Sequence, residues 1–203
     1  MSHWATATLH KPCEGGSVMV APAETESVPI RPGGWTADDV LAFSEDQFPG
    51  QRVELVDGAL LVSPAPSSGH QRLLHRLQLQ LATALPDGAE LLPGVNVRLG
   101  GKRLLVPDLA LVARAGMETS CYDESDLLLA VEIESPSTRL RDRGLKHTLY
   151  AEAMVRYYLL VDPDLHAATL FELGTGEYVP IARSESGRIE LHRPFETTVD
   201  LTG

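Results

Sequence analysis

Asp108 in VPDLALV and Glu132 in LLLAVEIESPS each interrupt an apolar run short enough to be a core strand. An isolated buried carboxylate is costly unless a cation or hydrogen bonds compensate it, so an apolar strand of ~4–8 residues has no structural use for one at its centre. Two such acids offer oxygen ligands of the kind that hold a hard divalent cation. Lys146, fourteen residues beyond Glu132, adds a basic group, and two acids with a lysine are the set that metal-assisted phosphodiester hydrolysis uses. The plainer readings are a turn-capping aspartate after Pro107, a buried ion pair between Glu132 and Arg or Lys, and a solvent-facing helix lysine.

Seven further residues bear on this set. Glu54 is a mid-strand charge beside a turn, suited to an outer metal ligand or a partner to one. Glu134 lies two residues after Glu132, so on one strand both project to the same face. His70 opens a long helix, where a lone histidine caps or packs more readily than it acts as a base. Tyr150, one turn after Lys146, reads as packing, and Asp142, one turn before it, as a salt-bridge partner. Ser135 and Ser137 lack the glycine elbow of a serine nucleophile and read as helix caps.

The elements that must position these groups follow from patterning. Thr36 caps a helix over 36–46. RVELV and ALLVS flank Asp57-Gly58, which predicts a hairpin of strands 52–56 and 59–63. Leucines at 73, 74, 77, 81 and 85 predict a helix over 69–85. Strands follow at 89–98, 104–113 and 127–134, then a helix over 138–154 and a strand over 156–162. Short antiparallel strands complete the chain to about 191, with a polar loop between 115 and 126. This order describes an α/β fold: a mixed β-sheet flanked by helices, with additional antiparallel strands at the C-terminus. Asp108 and Glu132 fall on adjacent central strands, and the helix bearing Lys146 crosses over the same edge.

The 203 residues suit one domain over 35–203 behind a Pro- and Gly-rich leader, 1–34, expected to be disordered. No signal peptide or membrane-spanning run is visible, so a cytoplasmic location is expected. Cys13 and Cys121 make neither a disulfide framework nor a zinc set. A net charge of −11 opposes general nucleic-acid binding, although Arg139, Arg141, Arg143, Lys146 and Arg156 cluster around Asp142 as one basic stripe.

ELVDG at 54–58, His70, PD at 107–108, VEIESPST at 131–138, RDRGLK at 141–146 and Tyr150 followed by YYLLVDP at 157–163 together form an ordered set. In these blocks, over about 36–190, the chain resembles the Uma-two family of restriction endonucleases within the PD-(D/E)xK nuclease superfamily. The resemblance implies a restriction-endonuclease-like core and a divalent-metal site, Mg²⁺ or Mn²⁺, at Asp108 and Glu132. In the wider superfamily a lysine stands two residues after the second acid; this chain has Glu134 there, and the resemblance implies that Lys146 on the following helix takes that part. DNA is the expected substrate and a homodimer the expected assembly. A non-catalytic interaction scaffold and a phosphoesterase for smaller substrates are the alternatives.

Overall fold

The computed structural model describes residues 31–44, 46–134 and 142–202. Most of the expected leader, Cys13, the proposed caps Ser135 and Ser137, Arg139 and Arg141 lie outside the described residues, as do the side chains of Asp142 and Arg143. Helix α1, Ala37–Leu41, starts at Thr36 in a full capping box with Asp39. It is shorter than predicted: Phe43 lies beyond it, edge-on to Trp35 at 5.3 Å and close to Phe48 at 5.4 Å. Strands β1, Arg52–Val56, and β2, Ala59–Ser63, form the predicted hairpin, with Asp57 and Gly58 both at positive φ.

Helix α2, Ser68–Ala82, is capped by Ser67, whose hydroxyl accepts from the His70 N–H. Its leucines 73, 74, 77 and 81 are buried. The predicted strand 89–98 divides into β3, Glu90–Pro93, and β4, Val97–Arg98; the predicted 104–113 divides into β5, Leu104–Leu105, and β6, Leu109–Val112. Both breaks have a backbone cause. Gly94 takes φ +61, and Pro107 has no N–H to give a ladder.

Strand β7, Tyr122–Asp123, and a 3₁₀ turn at Glu124–Asp126 occupy part of the predicted loop, and β8 runs Leu127–Ile133. A π turn at Asp142–Lys146 leads directly into helix α3, His147–Glu152, the described part of the predicted 138–154 helix. Then come β9, Tyr157–Asp162; β10, Ala167–Leu173; β11, Tyr178–Arg183; β12, Arg188–Leu191; and β13, Thr197–Asp200. The last strand lies beyond the predicted end of the antiparallel tail.

The strands form a five-stranded sheet in the order β2-β1-β5-β4-β7, a six-stranded sheet in the order β11-β10-β9-β8-β6-β3, and a β12–β13 ribbon. In the larger sheet β8 is antiparallel to β6 and parallel to β9, with α3 in the connection. One face of this sheet, bearing Leu109, Leu129, Val131 and Leu159, packs with the leucines of α2. The opposite face, bearing Ala110, Ala130 and Tyr158, packs with Leu149 and Tyr150 of α3 and with Val97 and Leu105 of the smaller sheet. Alternation along β6 and β8 therefore serves two cores at once. The break at 106–108 carries the chain from one sheet to the other, and Asp108 lies at that crossing.

Candidate active site

Asp108 immediately precedes β6, and β6 pairs with β8 through Leu109 opposite Val131. One further step of that antiparallel register brings Asp108 opposite Glu132. The closeness is visible in a hydrogen bond, because the Ile133 N–H donates to Asp108 Oδ2 at 2.8 Å. Each carboxylate is only 2% exposed.

Every oxygen of these two acids accepts a hydrogen bond from the protein. Asp108 Oδ1 accepts from Arg52 Nη1 at 3.0 Å and lies 3.1 Å from His70 Nε2. Glu132 is straddled by Lys146, whose Nζ is 3.0 Å from both Oε1 and Oε2, and the Tyr150 hydroxyl donates to Oε1 at 2.9 Å. Glu54, on β1, joins the same knot: its Oε1 lies 3.0 Å from Lys146 Nζ and accepts from the Val106 N–H at 2.9 Å. Arg52 and Glu54 are two apart on β1, so one strand face of the smaller sheet supplies an arginine to Asp108 and an acid to Lys146.

The electrostatics follow from these contacts. Burial alone would push the Asp108 carboxyl up, but the His70 hydrogen bond and charge, Arg52 and the Ile133 N–H outweigh it and hold it below the usual carboxylate value. Burial disfavours the charged Arg52 guanidinium, yet the negative charges of Asp108, Glu132 and Glu54 raise its pKa above the ordinary arginine value. Tyr150, fully enclosed and facing Glu132 and Glu54, is pushed well above the ordinary phenol value and stays a proton donor.

Asp108, Glu132, Glu54, His70 and Lys146 are thus gathered at the joint between the two sheets. Glu134, just past β8 and 1% exposed, lines a cavity of about 300 Å³ with His70, Arg76, Asp162 and His166. Two readings need correction. Lys146, at 4% exposure, is not part of a basic surface stripe, and Arg156 is occupied by Glu172 and the Tyr157 ring. Tyr150 does more than pack, since its hydroxyl holds Glu132.

Arg52 is the site residue that sequence reasoning missed. The available signal was its spacing of two from Glu54, which puts both on one face; nothing local joins it to Asp108, 56 positions away.

Among the described residues, no group of three or more His, Cys, Asp and Glu converges to hold a metal ion. The donor chemistry nevertheless fits a hard divalent cation. Three buried carboxylates face two basic groups, Arg52 and Lys146, and the adjacent pair Asp108 and Glu132 is all-oxygen. The arrangement can hold positive charge at a fixed point and present an ammonium beside it.

The Uma2 family model, described as "Putative restriction endonuclease", matches residues 37–202. Among solved structures, the chain is similar to the crystal structure of a putative nuclease belonging to DUF820 from Anabaena variabilis. The TM-score is 0.58 and the identity 16%, over 71% of this chain and 83% of that one, a likeness of fold. No curated protein matches the chain.

Proposed function

Since the chain belongs to the Uma2 restriction endonuclease family, a nuclease-type family, we propose that it is a divalent-metal-dependent endonuclease that hydrolyses phosphodiester bonds in DNA. The observation that carries this reading is the pairing of two buried carboxylates, Asp108 and Glu132, with Lys146 Nζ 3.0 Å from the second.

Asp108 and Glu132 would hold the cation, Mg²⁺ or Mn²⁺. When bound, such an ion supplies Lewis acidity, polarising a phosphoryl oxygen and acidifying water. The remaining work belongs to the chain. Lys146, oriented by Glu132 and Glu54, keeps its ammonium beside the reacting phosphate, where it balances charge developing on the pentavalent transition state or positions the attacking water. Tyr150 fixes Glu132 through a donor that burial keeps protonated. His70 and Arg52 fix Asp108 from α2 and from the smaller sheet. Removal of these groups from bulk water strengthens each interaction. A homodimer would present two such sites to the two strands of a duplex.

A non-catalytic scaffold is favoured by one specific observation: both carboxylates are already fully hydrogen-bonded within the protein. The deciding experiment is incubation of the protein with supercoiled and linear DNA, with and without Mg²⁺ or Mn²⁺, beside Asp108→Asn and Glu132→Gln. Metal-dependent nicking that both substitutions abolish is expected. A wild-type protein inert across metals and salt concentrations would overturn the nuclease reading in favour of the scaffold.

A further inference from the structure

Resting on the metal-dependent reading above, we infer that Arg52 sets the affinity of the site for its divalent cation by competing for Asp108 Oδ1. The competition follows from how the Asp108 oxygens are used. Oδ2 accepts from the Ile133 N–H, a backbone donor fixed by the β8 ladder, and cannot be released without disturbing the strand. Oδ1 lies within hydrogen-bonding distance of both Arg52 Nη1 and His70 Nε2, which together fill its two lone-pair positions. A cation that takes a lone pair of Oδ1 must displace one of them, and one held only through the remaining lone pair of Oδ2 still meets the Arg52 charge paired to the other oxygen of the same carboxylate at 3.0 Å.

Arg52 is the group that leaves. Its guanidinium is permanently charged, so a divalent ion beside it is repelled. Its other anchor is a long contact of 3.3 Å to the Val106 carbonyl. Its side chain is 23% exposed against 12% for His70, which gives it the freer path to solvent. The apparent metal affinity is therefore the intrinsic affinity of the carboxylates reduced by the free energy of breaking the Arg52–Asp108 pair.

The test is direct Mn²⁺ binding to the full chain by isothermal titration calorimetry, for wild type, Arg52→Gln, Arg52→Lys, His70→Gln and Asp108→Asn, each checked for a cooperative thermal melt. Arg52→Gln is expected to bind Mn²⁺ at least tenfold more tightly, or ~1.4 kcal/mol. Arg52→Lys, which keeps the charge but loses the planar fork, should fall between Arg52→Gln and wild type and serves if the glutamine variant does not fold. His70→Gln should change affinity less than Arg52→Gln, and Asp108→Asn should lose binding. Wild-type affinity in the folded Arg52 variants, with binding still lost in Asp108→Asn, would overturn this inference alone. No Mn²⁺ binding by any form would overturn it together with the metal-dependent reading.

Discussion

Replacing Lys146 by methionine removes the ammonium from a buried position between Glu132 and Glu54, each 3.0 Å from Nζ, and puts an apolar side chain of similar length in its place. The Tyr150 hydroxyl and the Val106 N–H still donate to the two acids, but neither carries charge. Stripping one partner from a buried ion pair typically costs ~3–5 kcal/mol, because the remaining charge stays desolvated and uncompensated. For a chain of this size each kcal/mol moves Tm by about 2–4 °C, so a fall of roughly 6–20 °C is expected. The assay is thermal and urea unfolding in EDTA, so that no added cation replaces the ammonium. A double-mutant cycle with Glu132→Gln isolates the pair: Lys146→Met/Glu132→Gln should recover part of the loss, since it removes one of the stranded charges. A loss below about 1 kcal/mol in the single variant, the range of an exposed pair, would refute the argument, as would strict additivity in the cycle.

Three further outcomes are expected. Tyr150→Phe deletes a single hydroxyl bond to a buried carboxylate and should cost about 1.5–3 kcal/mol by urea denaturation; no shift in the midpoint would show the bond to be dispensable. His147 lies edge-on to Phe171 and Tyr178 beside a cavity of about 390 Å³ that also takes in Glu134, Asp162 and Arg183, and burial lowers its pKa from the ordinary histidine value of 6.5. Below 6.5 the unfolded chain therefore binds the proton more readily than the folded one, so this contribution to stability falls as pH drops from 6.5 toward the lower folded value; His147→Gln should flatten that part of the stability–pH curve, and an unchanged slope would discount it. Gly58→Ala forces a side chain onto φ +85 with its Cβ 3.4 Å from Gly34 Cα, and thermal melting should register a loss of about 1–2 kcal/mol; an unchanged melt would refute the turn strain.

The parts of the fold readable in the sequence are those fixed by local rules. Asp57-Gly58 specified its hairpin because both residues must take positive φ, and the leucine spacing of α2 specified a helix because four of its leucines share one buried face. Two continuous strands were expected where the chain makes four, since apolar character persists through Val95 and Val106 while the pairing changes sheet. Strands β7 and β13 were missed because their partners are non-local or their segments only a few residues long. At the site, the acids were legible from the cost of burying charge and Lys146 was named beside them, but its burial between Glu132 and Glu54 and the part of Arg52 were not. Lys146 offered a solvent-facing alternative equally compatible with its helix, and Arg52 meets Asp108 only after two sheets have come together.

The way those sheets meet bears on function. A joint between two apolar cores is stabilised as well, or better, by apolar side chains of the same volume, because the desolvation of paired charges commonly exceeds their attraction. Here the joint holds three carboxylates, an arginine, a lysine, a tyrosine hydroxyl and an imidazole between two clusters of leucine, valine and tyrosine. Packing alone gives no reason to keep so many polar groups at that place. Each acid is held from more than one element: Asp108 from β1 and α2, Glu132 from Lys146 in the π turn and Tyr150 in α3, and Glu54 from the Val106 amide and Lys146. Supports on separate elements hold the carboxylates at fixed points before any ligand arrives; the Ile133 amide and the Tyr150 hydroxyl can keep their hold when a cation binds, whereas Arg52 has to give way. If the proposed nuclease reading holds, the cost in stability and the chemistry come from the same side chains, so substitutions that neutralise the knot by pairs should leave a cooperative thermal melt while abolishing the metal-dependent nicking proposed above.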